Sequence, residues 1–475
     1  MNSVAEQLEP GSQPSAKPTI STQLARFVRN LTYAQIPPEV IERAKLCVLD
    51  CLGIGLASST FEFGQKTIAA IHAIAGDGPS PIIGRAMRLP LRDAVLVNGT
   101  LIHGLDFDDT HADSVVHASA SAVPVMLALA LDRSASGRDA LLAYLVAIEA
   151  DARIGMGANG GFHKQGYHPT GLVGAFGCAL AAGRLLGLDE RALVDAQGIT
   201  LSMAPGNLEF LEDGAWTKRM HPGWAGVCGI TAAAMARGGY VGPSRAYEGR
   251  YGLYRTHTAP DIRPDPGKAT ADLGRKWELM RVAFKPYAAC HFNHAFADAT
   301  LALRERHGVK PEEVAEIIAR ISEQQVAVVC EPEINKKRPQ NSYDAQFSVH
   351  FTIAAALTKG RFTLDELEPS VLRDPTVLGL CAKTRYEVDP TSAYPKFYSG
   401  EVEIRTKDGR RFVHREQENR GSDAKPLSTE DIVTKFRANA GRVLSTTNVE
   451  RLVELALGLD RASDLRPLAA ALQPR

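Results

Sequence analysis

Residues 103–131 read HGLDFDDTHADSVVHASASAVPVMLALAL, and this stretch decides how the rest of the chain is read. Its first part packs together Asp106, Asp108, Asp109 and Asp113 with His103, His111 and His117. Clustered acids and imidazoles are costly to bury unless they hydrogen-bond, pair or do chemistry, so this part is expected to wall a site. Its second part, Ala122 to Leu131, is an apolar, alanine-rich run. Alanine has the best helix propensity and lets helices approach closely, so the run predicts a core helix.

The same composition recurs at Ala140–Ala150, Leu172–Leu186, Glu190–Met203 and Gly226–Ala236, with no fixed repeat period. That pattern predicts a compact helical bundle and not a solenoid. Toward the N-terminus, Pro37-Pro38 suits a helix start, and Val40, Ile41, Ala44, Cys47, Val48, Cys51 and Leu52 follow with a period near 3.6 residues. Lys66–Ile74 and Asp93–Ile102 give two more helices. Residues 1–20 are polar and proline-containing, which predicts a disordered tail and no signal.

After about Asp265 the character changes. Trp277–Phe284 and Val314–Cys330 are rich in β-branched residues, and Glu401–Arg405 and Arg411–His414 flank Asp408-Gly409 as a hairpin. Helices are expected among them at His294–His307 and Ala345–Leu357, and helical patterns return at Thr429–Ala438 and Val449–Leu457. The fold class is therefore mainly α: a tail (1–20), a helical region (21–280), an α+β region (281–420) and C-terminal helices (421–475) that pack back on the first helical region.

Lys plus Arg and Asp plus Glu number 54 each, so no net field favours nucleic acid or an anionic membrane, and affinity for an acidic ligand has to be local. Seven scattered cysteines without a Cys-x-x-Cys spacing argue for reduced thiols in a cytoplasmic setting. The apolar stretches are interrupted by charges, so no membrane span is expected.

Local basic groups do occur. Lys218, Arg219 and His221 precede a helix that Pro222 is expected to start, where unpaired N–H groups and the helix dipole favour an anion. A solvated basic loop is the plainer reading of one such pair, but Lys285 repeats it and His168-Pro169 forms a similar junction, which favours a polyanion pocket. Lys336-Lys337-Arg338 and Tyr343-Asp344 are further exposed-looking stretches. A divalent metal would accept Asp106, Asp109, His111 and His117, yet no fixed ligand spacing supports it. Asp-x-Asp-Asp is also the acid motif of terpene cyclases, whose aromatic-lined cavity does not suit 7% aromatic residues.

Gly155-Met156-Gly157-Ala158-Asn159-Gly160 fits GxGxxG but follows an alanine-rich helix where a dinucleotide site needs a strand. Gly-x-Ser-x-Gly is absent, and Cys290 beside His291 is a thiol more often buried than nucleophilic.

Five motifs in order, HGLDFDDTH with VHASASAVP, GYHPTGLVGAFG, FLEDGAWTKRMHPGWA with YEGRYGLY, FKPYAACHFNHAF and YDAQFSVHF, make the chain resemble the MmgE/PrpD family from about Gln23 to Leu457. That family includes 2-methylcitrate dehydratase, cis-aconitate decarboxylase and iminodisuccinate epimerase. The resemblance implies a large all-helical domain discontinuous in sequence, a smaller α+β lid, a site between them and a homodimer. Asp106, Thr110, His117, His168, Lys218 and Lys285 match the site positions. The pattern departs at Cys290, where decarboxylase-like members carry a His, and at Phe351, where they carry a Tyr, so Cys290 and His291 both stand as candidates at that place.

The expected substrate is a small di- or tricarboxylate clamped by Lys218, Lys285 and Arg219, with Thr110, His221 and His291 as further binding residues and with no cofactor and no metal. His117 is the expected proton-transfer residue, with His168, Asp106 and Lys218 completing the catalytic set and Asp106 orienting His117 or a partner. The leading reading is a 2-methylcitrate dehydratase-like hydro-lyase. The alternatives are an epimerase or decarboxylase of a related polycarboxylate and, from another class, a non-catalytic polycarboxylate binder or interaction protein. Asp108, Asp113 and His111 are assigned structural or solvent-facing roles.

Overall fold

The computed structural model describes residues 17–474. The expected tail lies outside the described residues as far as position 16, and Ile20 already opens a helix, α1 (Ile20–Asn30), capped by Thr19 Oγ1, which accepts from Thr22 N at 3.1 Å. The bundle continues with α2 (Pro38–Ser58), α3 (Glu62–Ala75), α4 (Leu91–His103), α5 (Ala118–Arg133), α6 (Gly137–Gly157), α7 (Pro169–Leu185), α8 (Glu190–Leu201) and α9 (Thr217–Arg237).

Small residues set how closely these helices cross. A Cβ built on Gly99 of α4 would stand 2.5 Å from Gly223 Cα of α9, and one built on Gly229 of α9 would stand 2.5 Å from Cys178 Cβ of α7. The glycine-free alternative would force the backbones apart. Pro222 does not start α9 as the sequence suggests, because the helix begins at Thr217 and runs through the proline. Lys218, Arg219 and His221 therefore stand on the first turns of a helix and not in a loop before it. Proline lacks the N–H that would bond to the carbonyl four residues back, that of Lys218.

The α+β region holds α10 (His294–His307), α11 (Ser342–Gln346) and α12 (Val349–Lys359). The single helix expected over Ala345–Leu357 is two, because Ser348 recaps the chain by accepting from Phe351 N at 3.0 Å. A two-stranded link, β1 (Thr110–His111) with β2 (Val282–Ala283), pairs Thr110 with Ala283. The main sheet contains β3 (Val314–Ile321), β4 (Thr384–Val388), β5 (Gly400–Thr406) and β6 (Arg411–Glu416) in the order β4-β3-β5-β6. Pairing is parallel for β3–β4 and antiparallel elsewhere, with Gly409 at φ 88° in the hairpin turn. The β-branched stretch to Cys330 is a strand only as far as Ile321 and then a helix, Glu323–Val329. Trp277–Phe284 is mostly a 3-10 turn, Glu278–Arg281, before β2.

Helices α13 (Thr429–Ala440) and α14 (Thr446–Leu457) return to α2, where Gly53 leaves room for Phe436: a Cβ there would meet its ring at 2.7 Å. One apolar core combines residues from Ile20 to Phe284 with Leu427 to Leu472, and a second spans Tyr287 to Ile404. Leu105 and Phe107 belong to the second core although the helices before and after them belong to the first. The acidic loop that they flank is thus pinned at the seam. No single helix among the described residues is long and apolar enough to cross a membrane.

Candidate active site

The residue at the centre of the seam is Asp106, held between its two buried neighbours in a left-handed conformation (φ 50°) that aspartate tolerates better than most side chains. Its Oδ1 accepts from Lys218 Nζ at 2.8 Å and from Lys285 Nζ at 3.2 Å, and its backbone carbonyl accepts from Lys285 Nζ at 2.7 Å. Lys218 comes from the first turn of α9 and Lys285 from the segment after β2, so two distant parts of the chain meet on one carboxylate. Burial opposes its charge, but the two lysines outweigh that and hold Asp106 well below the usual carboxylate range. Burial likewise disfavours the Lys218 ammonium, and the Asp106 carboxylate reverses the effect and raises it.

His117 lies beside this cluster, its Nε2 3.9 Å from Asp106 Oδ1, with its backbone N donating to Thr170 Oγ1 at 3.1 Å. Burial, opposed by Asp108 and assisted by Lys285 and His103, lowers it to about 4, so the imidazole is neutral near pH 7 and able to accept a proton. His168 and His221 meet at Nδ1, 3.0 Å apart, one donating and the other accepting. Burial also lowers both, His221 to about 4. A cleft of about 510 Å³ lined by Phe210, Met220 and Trp224 reaches His221 from outside.

Arg219 is buried, and its guanidinium rests 4.2 Å from the centre of the Phe63 ring, 4.9 Å from that of Tyr343 and 5.3 Å from that of Trp216. Burial lowers it to about 10, leaving it charged at neutral pH, and it forms no salt bridge with a carboxylate among the described residues. A buried cation packed on aromatic faces, its Nε unpartnered, is suited to receive an anion. Thr110 Oγ1 is also buried without a partner, two residues along the paired strands from Lys285.

His291 is placed less directly. Its Nε2 pairs with Asn419 Nδ2 at 2.9 Å, and its ring packs on His294 and Tyr398. Burial, followed by the charge of Asp106 and opposed by Lys285, pushes the Cys290 thiol up to about 11, so it is a neutral S–H near pH 7. Phe351 sits in the second core against Phe362.

The four conceivable metal ligands diverge. Asp109 accepts from Ser119 Oγ, and burial pushes it up to about 7. His111 bonds Ser114 Oγ at 2.9 Å and Glu278 Oε2 at 3.2 Å, while Asp113 pairs with Arg281 at 2.7 Å near the surface. His103, Asp108 and His117 do bring ligand-type atoms within 4.8 Å of one another, but two ammonium groups next door disfavour a further cation.

Of the structural or solvent-facing roles expected for Asp108, the solvent-facing one does not hold. It is fully buried, and its Oδ2 accepts from His103 Nδ1 at 2.8 Å and stands 3.4 Å from His117 Nδ1. The sequence reading also passed over Gln346, whose Nε2 donates to Leu105 O and Ala288 O and so ties the acidic loop to the Lys285 segment. Its presence in the YDAQF motif was the available signal. Lys435, which donates to Asp50 and to Phe107 O, carried none. Lys336 and Lys337 serve local structure, through Val328 O and Glu333.

Residues 22–264 match the MmgE/PrpD N-terminal domain and residues 287–461 the MmgE/PrpD C-terminal domain. A cis-aconitate decarboxylase of Homo sapiens is 30% identical over 470 residues, covering 96% of this chain and 95% of the relative. That of Mus musculus is 29% identical over 477 residues (96% and 93%), and one from Aspergillus terreus is 27% identical over 481 residues (96% and 96%).

Proposed function

Because the chain belongs to the MmgE/PrpD family, we propose that it is a cofactor-independent lyase that removes CO₂ from a small unsaturated tricarboxylate of the cis-aconitate class. The observation that carries this reading is the convergence of Lys218 and Lys285 on one carboxylate beside a neutral imidazole, His117. Substrate carboxylates would take over the lysine contacts that Asp106 now makes, with Arg219 receiving another.

In the reaction the C–CO₂ bond breaks and its electron pair stays on carbon, delocalised toward a carboxylate that the two ammonium groups stabilise. The carbanion then takes one proton, and one proton from solvent restores the donor. His117 is neutral in the free protein, and the negative charge of the substrate raises its proton affinity when the pocket fills. His168 and His221 would relay the replacement proton inward from the cleft that reaches His221. The homodimer and the cytoplasmic location belong to the same proposal, checked by light scattering and by fractionation.

The 2-methylcitrate type of dehydration, the leading reading from the sequence, is the second choice. The curated relatives favour decarboxylation, while Cys290 in place of the histidine keeps dehydration in play, since a neutral thiol at about 11 is a weak proton donor near pH 7. Incubation with cis-aconitate, 2-methylcitrate, citrate and iminodisuccinate in D₂O, followed by NMR, separates the readings. Loss of CO₂ with one deuteron gained by the product is the expected result. Loss of water would move the assignment to a hydro-lyase, and deuterium uptake without loss would move it to an epimerase. Binding without any turnover would leave a polycarboxylate binder and overturn the proposal.

A further inference from the structure

Among the described residues, two buried groups that the proposed reaction leaves unused, His103 and Asp108, form one compact arrangement with His117. Asp108 and His103 have fully buried side chains. One carboxylate oxygen, Asp108 Oδ2, accepts from His103 Nδ1 at 2.8 Å and faces His117 Nδ1 at 3.4 Å. The second contact falls short of hydrogen-bond geometry, which leaves His117 Nδ1 buried and unpartnered, and Asp108 Oδ1 and His103 Nε2 are unpartnered as well. The rings of His103 and His117 lie 4.8 Å apart at 67°, and His103 stacks on His168 at 5.6 Å. At 3.4 Å the separation is already short enough, and a turn of the His117 ring would align it.

We infer that Asp108 is the positioning residue of the site, receiving the Nδ1 proton of His117 so that Nε2 faces the substrate, while His103 holds the carboxylate in place. This rests on the proposed reaction only for its kinetic readout. The chemistry follows from the two nitrogens of imidazole: with Nδ1–H directed to a carboxylate, the Nε2 lone pair is the one free to take a proton, and the imidazolium formed is stabilised. Asp108 thus lies between two imidazoles, bonded to His103 and facing His117. The charged and titratable groups that bear on His117 are Asp106 and Asp108 from the acidic loop, His103 from α4, Lys285 after β2, and His168 and His291.

Two variants test the inference, each read in two ways. Asp108→Asn is expected to lower kcat by about 100-fold or more with KM changed less than about threefold, as loss of an orienting partner does. The limb of its pH–rate profile that His117 sets should move to lower pH, because His117 loses a neighbouring anion, and Asp108→Glu should restore part of the rate. His103→Gln should move that limb the other way, because His103 lowers His117. Independently of turnover, the ¹⁵N shifts of His117 in the full chain should report an Nδ1–H tautomer in the wild type and a mixture in Asp108→Asn. Unchanged His117 shifts in that variant, or an unmoved His117 limb in both, would overturn the inference. Should Asp108→Asn not fold, the direction of the His103→Gln shift decides alone. If the wild type turns over no polycarboxylate, the proposed reaction fails while the ¹⁵N comparison still decides the role of Asp108.

Discussion

Replacing Asp106 by Asn removes the one charge that two buried lysines share while keeping a side chain that accepts the left-handed backbone at φ 50°. Both ammonium nitrogens lie within 3.2 Å of Oδ1, so they are separated by no more than about 6 Å. At an effective dielectric near 20, their mutual repulsion is then roughly 3 kcal/mol. Leaving a buried charge uncompensated typically costs about 3–5 kcal/mol, so Asp106→Asn should lose stability on this scale. A small polycarboxylate supplies the missing anion and should raise the melting temperature of the variant more than that of the wild type. Differential scanning calorimetry with and without citrate, at fixed pH and ionic strength, measures both quantities. A variant as stable as the wild type, or one that gains no more from the ligand, would refute the view that Asp106 stands in for a substrate carboxylate.

Arg219→Lys keeps the charge but loses the planar stack on Phe63, Tyr343 and Trp216; KM for the active polycarboxylate should rise about tenfold with kcat little changed, in steady-state assays. Gly223→Ala would place a Cβ 2.2 Å from Leu96 O and should destabilise by about 1–3 kcal/mol in chemical denaturation. Gly379→Ala, on a helix with nothing within 4 Å of the added carbon, should be neutral or stabilising by up to about 1 kcal/mol. Burial lowers His117, His221 and His350 from 6.5 to about 4, so between these values the unfolded chain binds more protons. Stability should therefore fall as pH drops from 6.5 to 4, by up to roughly 3 kcal/mol per histidine, read from urea midpoints against pH. Asp109, raised from 3.8 to about 7, acts with the opposite sign across that window and offsets part of the fall.

Much of this architecture is legible from local pattern. Alanine-rich, 3.6-period segments became α5, α6 and α7 because small side chains both favour the helix and permit close crossings. The Asp408-Gly409 turn named its hairpin because only a residue at ease with positive φ fits Gly409. Pattern failed where a choice depended on partners far along the chain. Pro222 reads as a helix start, yet α9 begins at Thr217 and runs through the proline, with Gly223 packed closely against Leu96. Within the acidic loop, Asp106 and Asp108 are equivalent by composition. What distinguishes them is that one meets lysines from positions 218 and 285 and the other meets two imidazoles, which no spacing rule encodes.

Lys435 of α13 donates at 2.9 Å to Asp50 and at 2.9 Å to the carbonyl of Phe107, inside the loop that presents Asp106 and Asp108. A ribosome therefore releases nearly all of the pocket's residues before it makes the residue that fastens their loop. A nascent or C-terminally shortened chain carries the acids, lysines and histidines, and the ties of Gln346 and Lys285, without this one. Loss of the last two long helices should therefore lower activity although every residue of the pocket is kept, which a truncation ending before Thr429 would check.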